Sequence, residues 1–319
     1  ARALARSRST GRPLGPLHGL PVGIKDIINT RRIPTENGTP LDAGRVPVVD
    51  AFVVERLRAA GAIIMGKTVT TELAFLHPSR TRNPRAPRHT PGGSSSGSAA
   101  AVAASMVPLA IGTQTGGSVI RPAAYCGIVG YKPTFGAIPR TGILTQAPSL
   151  DTVGVFARSV EDAAMLAEVL FGHSPADPAS QPAPPPRLLK TAASAPPVRP
   201  MFAFVRPPGW DDADEQTMLA MRELTEYLGE YCFEAPLPRL FAEAPTIRER
   251  INSAEMAKNY AHYERRGRDQ LSDTILAAMD AGKAISAPDY IAALDWPEVL
   301  NAGLDEIFRR CDAILTPAT

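Results

Sequence analysis

Three side chains that could activate one another occur in the first 120 residues: Lys25, Ser94 and Ser118. Lys25 lies in the run GIKD, Ser94 in TPGGSSSGSAAA, and Ser118 ends GTQTGGS. A serine becomes a nucleophile when a base takes its proton, and a second hydroxyl can carry that proton to a neutral amine. If the three side chains converge, they predict a hydrolase that cleaves amide bonds without histidine. If they do not, the chain is an ordinary α/β domain with glycine-rich turns.

Ser118 is the predicted nucleophile because of the backbone around it. The segment Thr115–Ser118 follows a strand-like run and precedes a predicted helix. Its two glycines let consecutive N–H groups point into one concavity, and a helix N-terminus adds positive potential. We therefore expect the backbone amides of Thr115, Gly116, Gly117 and Ser118 to stabilise the oxyanion that forms during acyl transfer.

Lys25 is the predicted base, provided that its amine is neutral. With a pKa near 10.4, only about one lysine in 2500 is neutral at pH 7. Burial at the end of an apolar strand would lower the pKa. Asp26 follows directly, but in a strand it points to the opposite face and need not hold Lys25 in the charged form.

Strands and helices alternate along the chain, which predicts an α/β fold with a largely parallel sheet. Residues 174–200 are rich in proline and predict a loop, and residues 213–310 predict a mainly helical covering region. Strands are predicted at 20–28, 62–65, 109–111, 201–205 and 313–315. Helices are predicted at 49–60, 97–106, 159–170, 213–230, 245–265, 269–282 and 288–310, with Pro297 kinking or dividing the last.

Two further segments match the letters of known motifs, but the sequence around them does not predict the structure that those motifs need. Residues 61–68 (GAIIMGKT) match the P-loop pattern, yet a helix precedes the first glycine and the intervening residues form an apolar strand. Residues 93–97 (GSSSG) match the nucleophile elbow around Ser95, but the polar, proline-rich segment before them is poor strand material. The five histidines, which a Ser-His-Asp site would need, have no distinctive local motif. They are His18, His77, His89, His173 and His262.

Composition limits the partners that the chain could have. A net charge of +2 gives no reason to expect nucleic acid or a membrane surface, and no apolar run is long enough to span a bilayer. The 3 cysteines form no metal or disulfide pattern, so the cytoplasm is the expected compartment. No signal peptide is visible in a sequence that begins without methionine and ends after a strand-like run. The sequence is therefore interpreted as a single domain, 1–319, that is incomplete at both termini.

The order of these motifs resembles the amidase signature family. The resemblance rests on GIKD, PGGSSSGSAAA and GTQTGGS, together with the spacing of Lys25, Ser94 and Ser118. It is supported by the segments 66–68 (GKT), 83–84 (NP), 121–123 (RPA), 130–134 (GYKPT) and 312–317 (DAILTP). It is dense over residues 16–160, while residues 170–300 match in character alone.

The resemblance implies a role for each of these residues. Ser118 would be the acyl-enzyme nucleophile, Ser94 the bridging serine with a cis peptide, and Lys25 the base. Arg121 and Gly93 would contact substrate. It also implies a mixed, mainly parallel sheet covered by helices, no metal or organic cofactor, and a small amide substrate. It allows a homodimer, since two-fold pairing is common in the family.

Two positions depart from the family pattern. Many members have aspartate where this chain has Gln114, and many have arginine where it has Ile120, with Arg121 one position later. The form TQTGGSVIRP is closer to malonamidase-like members, in which this arginine contacts a substrate carboxylate. Arg121 is therefore expected either to pair with a carboxylate on a small amide or to tie its helix to a neighbouring loop.

Three functions remain open at this point. The first is a free-standing amidase that releases ammonia from a small carboxamide. The second is the catalytic subunit of a glutamyl- or aspartyl-tRNA amidotransferase, which shares the same three residues; Gln114 and the position of Arg121 lean away from it. The third is an inactive, truncated product, because chains of this family normally extend further.

Overall fold

The structure is a computed structural model that describes residues 14–319. The strands are β1 Pro21–Lys25, β2 Ile63–Thr68, β3 Leu109–Gln114, β4 Val129–Tyr131, β5 Thr152–Ala157, β6 Phe202–Phe204, β7 Cys232–Glu234 and β8 Ala313–Leu315. The α-helices are α1 Phe52–Ala59, α2 Ser96–Ala103, α3 Ile120–Cys126, α4 Val160–Leu170, α5 Leu188–Ala192, α6 Glu215–Leu228, α7 Ala244–Asn259, α8 Ala261–Gly267, α9 Asp273–Lys283 and α10 Ala287–Phe308.

The larger sheet has five strands in the order β2-β1-β3-β5-β4. Strand β1 runs parallel to both β2 and β3, whereas β5 runs antiparallel to β3 and β4. The smaller sheet, β7-β6-β8, is parallel throughout. Four of the six pairings are therefore parallel, and the predicted mixed, mainly parallel α/β fold is confirmed.

Helices cover both faces of the larger sheet. On one face, α1 and α4 pack their buried apolar residues against β1 and β5. On the other face, α2 and α3 pack small residues against β3 and β5. A central strand covered on both sides must be apolar on both sides, which explains the near-continuous apolar sequence of β1. Lys25 is the exception at the end of that strand.

The small residues of α2 permit an unusually close approach to the chain just after β2. The N–H of Gly97 donates to the carbonyl of Val69 at 2.8 Å. A Cβ built on Gly97 would lie 2.3 Å from the Val69 nitrogen, so no other residue fits there without moving the backbone. This approach fixes the position of the preceding loop, which carries Ser94.

Three sequence predictions are corrected by the structure. The proline-rich stretch at 174–200 includes the short helix α5. The helix predicted at 245–265 is divided at Tyr260, whose side chain is fully buried and donates to the carbonyl of Leu73. Helix α10 is not divided at Pro297 but continues through it, because the single hydrogen bond that proline removes is outweighed by the turns on either side.

No helix within residues 14–319 is both long enough and apolar enough to cross a membrane.

Candidate active site

Lys25 is buried completely at the carboxyl end of β1. Its Nζ lies 2.8 Å from the Oγ of Ser94 and 2.9 Å from the Oγ1 of Thr113. The structure therefore brings together the lysine and the first serine, which are separated by 69 residues in the chain. Thr113, on the neighbouring strand β3, is a contact that the sequence did not predict.

The environment of Lys25 favours its neutral amine. Burial lowers its pKa to about 7, while the negative charge of Asp151 raises it in opposition. The neutral amine is therefore far more populated near pH 7 than in an exposed lysine, of which about one in 2500 is neutral. Asp26 instead approaches Lys67, with 3.8 Å between Oδ1 and Nζ. The expectation that Asp26 does not hold Lys25 in the charged form agrees with this geometry.

Ser94 lies in a loop that is fixed on several sides. The peptide between Gly93 and Ser94 is cis. The carbonyl of Ser94 accepts from the backbone N–H of Thr71 at 3.1 Å and from the hydroxyl of Thr70 at 3.3 Å. Ser94 itself is 2% exposed. Its hydroxyl is thus held beside Lys25 by backbone contacts that do not use the hydroxyl.

The loop before Ser118 is held by two polar side chains. The Oε1 of Gln114 accepts from the backbone N–H groups of Val119 and Ile120 at 2.9 and 3.0 Å, which caps the start of α3. The hydroxyl of Thr115 donates to Oδ1 of Asp151 at 2.6 Å. Gln114, which departs from the family pattern, therefore stabilises the start of α3.

Three backbone amides of this loop are unpaired in the part of the chain that the structure describes. Within residues 14–319, the N–H groups of Gly116, Gly117 and Ser118 donate to no backbone or side-chain acceptor. Unpaired donors in a partly buried loop are costly unless a ligand or water completes them. Their position beside Ser118 suits the stabilisation of an oxyanion.

The second link of the predicted relay is not closed. In the described part of the chain, no hydrogen bond joins the hydroxyls of Ser94 and Ser118. Ser118 is 8% exposed and lines a cavity of about 390 Å³, the size of a small-ligand site. Catalytic hydrogen bonds are often long without substrate and shorten in the complex.

The cavity beside Ser118 is lined chiefly by two parts of the chain that are distant in sequence. One part comprises Thr115, Gly116, Ser118 and Arg121, and the other comes from helix α7. From α7 it receives Arg248, Glu249, Asn252 and Ser253. The remaining lining is Ala74, Phe75, Leu76, Gln146 and Ala278.

Arg121 ties α3 to the loop of Ser94. Its Nε and Nη2 donate to the carbonyl of Gly93 at 3.2 and 3.0 Å. Its Nη1 lies beside Gly117: a Cβ built on that glycine would be 3.3 Å away. These contacts support the interpretation that Arg121 ties its helix to a neighbouring loop. The carbonyl of Gly93, a residue predicted to contact substrate, accepts hydrogen bonds from Arg121.

The chain is matched by the Amidase family model over residues 1–319. It belongs to the amidase family. The resemblance indicated by the motifs is therefore confirmed.

Relatives within the amidase family differ in what their names say they do. The chain is 40% identical, over 278 residues, to a glutamyl-tRNA(Gln) amidotransferase subunit of Chloroflexus aurantiacus, covering 83% of this chain and 56% of that protein. It is 46% identical over 198 residues to the protein of the same name from Salinispora arenicola, covering 60% of this chain and 40% of that protein. The chain thus spans about half the length of these curated relatives.

Solved structures of the amidase family share the fold. The structure of the glutamyl-tRNA(Gln) amidotransferase subunit from Thermotoga maritima has a TM-score of 0.80 and 31% identity, covering 96% of this chain and 69% of that one. A 6-aminohexanoate cyclic dimer hydrolase has a TM-score of 0.82 and 25% identity, covering 97% and 68% respectively. Hydrolases and amidotransferase subunits are therefore both similar to this chain.

The two rejected motifs of this amidase-family chain have structural tasks. Lys67 of the P-loop-like run lies within β2, and its Nζ donates to the hydroxyl of Thr35 at 2.9 Å. Ser95 of the elbow-like run is fully buried and donates to the carbonyl of Thr113 at 3.2 Å. None of the five histidines lines the cavity beside Ser118, and residues 14–319 contain no His, Cys, Asp and Glu cluster able to hold a metal.

Several residues of the site were missed from the sequence. Asp151, whose pKa burial raises to about 6, precedes a buried strand and could have been singled out as an acid in an apolar setting. Gln146 is buried and its Oε1 has no hydrogen-bond partner within residues 14–319, while its Nε2 donates to Asn252 at 2.8 Å. Arg248 could not be identified from the sequence as a residue of the site, because charged residues are spread along α7 and form no motif.

Proposed function

We propose that this chain hydrolyses the C–N bond of a small carboxamide, with Ser118 as nucleophile, Ser94 as proton relay and Lys25 as base. The observation that carries the proposal is the 2.8 Å contact between the buried amine of Lys25 and the hydroxyl of Ser94. A buried lysine with a pKa of about 7, and with no carboxylate in contact among the described residues, is suited to accept a proton at neutral pH.

The reaction would proceed through an acyl-enzyme. The Oγ of Ser118 attacks the carbonyl carbon, its proton passes to Ser94, and the proton of Ser94 passes to Lys25. The N–H groups of Gly117 and Ser118 bind the oxyanion, and the C–N bond then breaks as the nitrogen takes up the proton and leaves as ammonia. Water then attacks the acyl-enzyme, loses its proton through the same relay, and releases the acid.

Arg121 would orient a substrate that bears a carboxylate. Two of its nitrogens are engaged by Gly93, and Nη1 has no protein acceptor in residues 14–319. Arg121 lines the cavity, and its Nη1 lies next to Gly117 in the loop of Ser118. The structural and the substrate-binding interpretations of Arg121 therefore use different atoms of the same guanidinium group.

The test is ammonia release from malonamate, propionamide and glutamine, with the chain and its Ser118→Ala variant side by side. Release that disappears in Ser118→Ala supports the proposal. Release that persists in Ser118→Ala would contradict the role of Ser118, and no release from any of the three amides would contradict a free-standing small-amide hydrolase.

A second function is favoured by the identity of 40% to a glutamyl-tRNA(Gln) amidotransferase subunit. In that function the same serines and lysine would release ammonia for transfer by a partner subunit. Glutamine as the preferred substrate, together with co-purification of partner subunits, would favour this function over the first.

A further inference from the structure

A second arginine reaches the cavity beside Ser118 from a helix that carries none of the motifs. Arg248 projects from α7 and lines the cavity with Arg121. A Cβ built on Gly116 would lie 2.7 Å from its Nη1. The guanidinium group of Arg248 therefore lies directly over the loop that carries Ser118.

The two arginines lie against consecutive glycines. Arg248 packs on Gly116, and Arg121 packs on Gly117. Burial lowers the pKa of Arg121, and the positive charge of Arg248 lowers it further. Two like charges that face one cavity repel each other, so an anion placed between them would relieve the repulsion.

Neither arginine forms an ion pair with any residue that the structure describes. Within residues 14–319, no carboxylate lies within 4.0 Å of either guanidinium group, whereas Arg140 nearby pairs with Asp177 at 2.7 Å. Glu249 is the carboxylate in the lining, and it is exposed and forms no ion pair within the same residues. Among the described residues the cavity thus presents two arginines and one carboxylate, none of them in an ion pair, so its lining carries a net positive charge.

The hydrogen-bonding capacity of the two arginines is unequal. Arg121 donates hydrogen bonds from its Nε and Nη2 to the carbonyl of Gly93. The side chain of Arg248 donates to no acceptor in residues 14–319, so all of its guanidinium N–H groups are free. A planar guanidinium with free donors is well matched to a carboxylate, which it can bind through two parallel hydrogen bonds.

We propose that Arg248 is the principal anion-binding residue of the cavity and selects substrates in which a carboxylate lies a short distance from the scissile amide. The linker must be short, because Arg248 lies over Gly116 in the same loop that would bind the carbonyl oxygen. Half-amides of short dicarboxylic acids fit this description. The inference rests on the proposed function for the reaction, and it assigns the specificity to α7.

Binding of malonate tests the inference without requiring catalysis. Calorimetric titration of malonate into Ser118→Ala should show binding that weakens roughly tenfold to a hundredfold when Arg248→Gln is added, which is the loss expected for charge-assisted hydrogen bonds. Arg250→Gln is the matched control, because it removes the same charge from the same helix at a position outside the cavity lining. Equal binding by the Arg248 variant and the control would overturn the inference, as would a lack of malonate binding to Ser118→Ala.

Kinetics provide the second measurement. Arg248→Gln should lower kcat/KM for malonamate by about as much as it weakens malonate binding, roughly tenfold to a hundredfold. It should change kcat/KM for propionamide by less than about twofold. Equal losses on both substrates would contradict a role in specificity. If the unmodified chain releases no ammonia at all, the proposed hydrolase fails, and the malonate titration still decides the role of Arg248.

Discussion

Arg121 donates two hydrogen bonds to the carbonyl of Gly93, at 3.2 and 3.0 Å. The contact joins the helix that follows Ser118 to the peptide that precedes Ser94. The two serines of the proposed relay are therefore linked mechanically by a residue that belongs to neither of their loops. Their spacing depends on this link more than on any contact between the hydroxyls.

Replacing Arg121 with glutamine should impair every substrate. Loss of both donors to a partly buried carbonyl should lower the free energy of unfolding by about 1–3 kcal/mol and lower kcat for propionamide as well as malonamate. Urea unfolding and steady-state kinetics measure both effects. This pattern differs from the selective loss expected for Arg248→Gln. An Arg121 variant with unchanged kcat for propionamide would show that the link to Gly93 does not position the serines.

Activity should depend on pH through Lys25. Because burial lowers its pKa to about 7, kcat/KM should fall roughly tenfold per pH unit below that value as the amine becomes protonated. The charge of Asp151 raises the pKa of Lys25, so Asp151→Asn should move the acidic limb of the profile of kcat/KM against pH to lower pH. Asp26→Asn is the control, since Asp26 approaches Lys67 instead. A limb that moves equally in both variants would refute the assignment to Lys25.

Stability should also report on Lys25. The folded-state pKa is about 7, below the value of 10.5 for an exposed lysine. Between these two pKa values the unfolded chain binds one more proton than the folded chain, so the free energy of unfolding rises with pH. Below about pH 7 Lys25 is protonated in both states, and burial of its charge then lowers the free energy of unfolding by the full amount. Lys25→Met should abolish ammonia release and remove this part of the pH dependence. Denaturant unfolding at about pH 7, 8 and 9 compares the two slopes, and parallel curves would contradict a buried amine.

Gly116→Ala tests the position of Arg248 by a steric route. The new methyl group would meet Nη1 of Arg248 at 2.7 Å and displace the end of that flexible side chain. We expect kcat/KM for malonamate to fall more than kcat/KM for propionamide, as with Arg248→Gln. If Gly116→Ala lowers kcat/KM for both substrates equally even when Arg248→Gln is already present, the methyl group acts on the loop of Ser118 and not on the arginine.

Gln114→Ala should destabilise the loop of Ser118. It removes the acceptor for two backbone N–H groups at the start of α3, which should lower the free energy of unfolding by about 1 kcal/mol. Gln114→Glu keeps an acceptor at that place and should preserve most of the stability. Thermal unfolding of the two variants gives the comparison. Equal melting temperatures for Gln114→Ala and the unmodified chain would show that the cap contributes nothing.

The sequence predicted those parts of the molecule whose signal is local. The strand that ends at Lys25, the turn before Ser118 and the capped helix at Val160–Leu170 all rest on patterns within a few residues. The wall of the cavity could not be predicted in this way. Arg248 meets Gly116 across a long separation in sequence, and only the packing of α7 brings them together. The helix is not divided at Pro297, although proline strongly disfavours helix interiors in isolation, because α10 accommodates it.

In the proposed function, the loops of Lys25, Ser94 and Ser118 would perform the chemistry, and helix α7 would select the substrate. The loops around Lys25, Ser94 and Ser118 are built on the five-stranded sheet, while α7 supplies the facing wall. In the proposed enzyme, mutations along α7 are expected to alter which amides are accepted while leaving the reacting atoms in place. A randomised library confined to the cavity-facing positions of that helix would be the economical starting point for redirecting this scaffold to new amides.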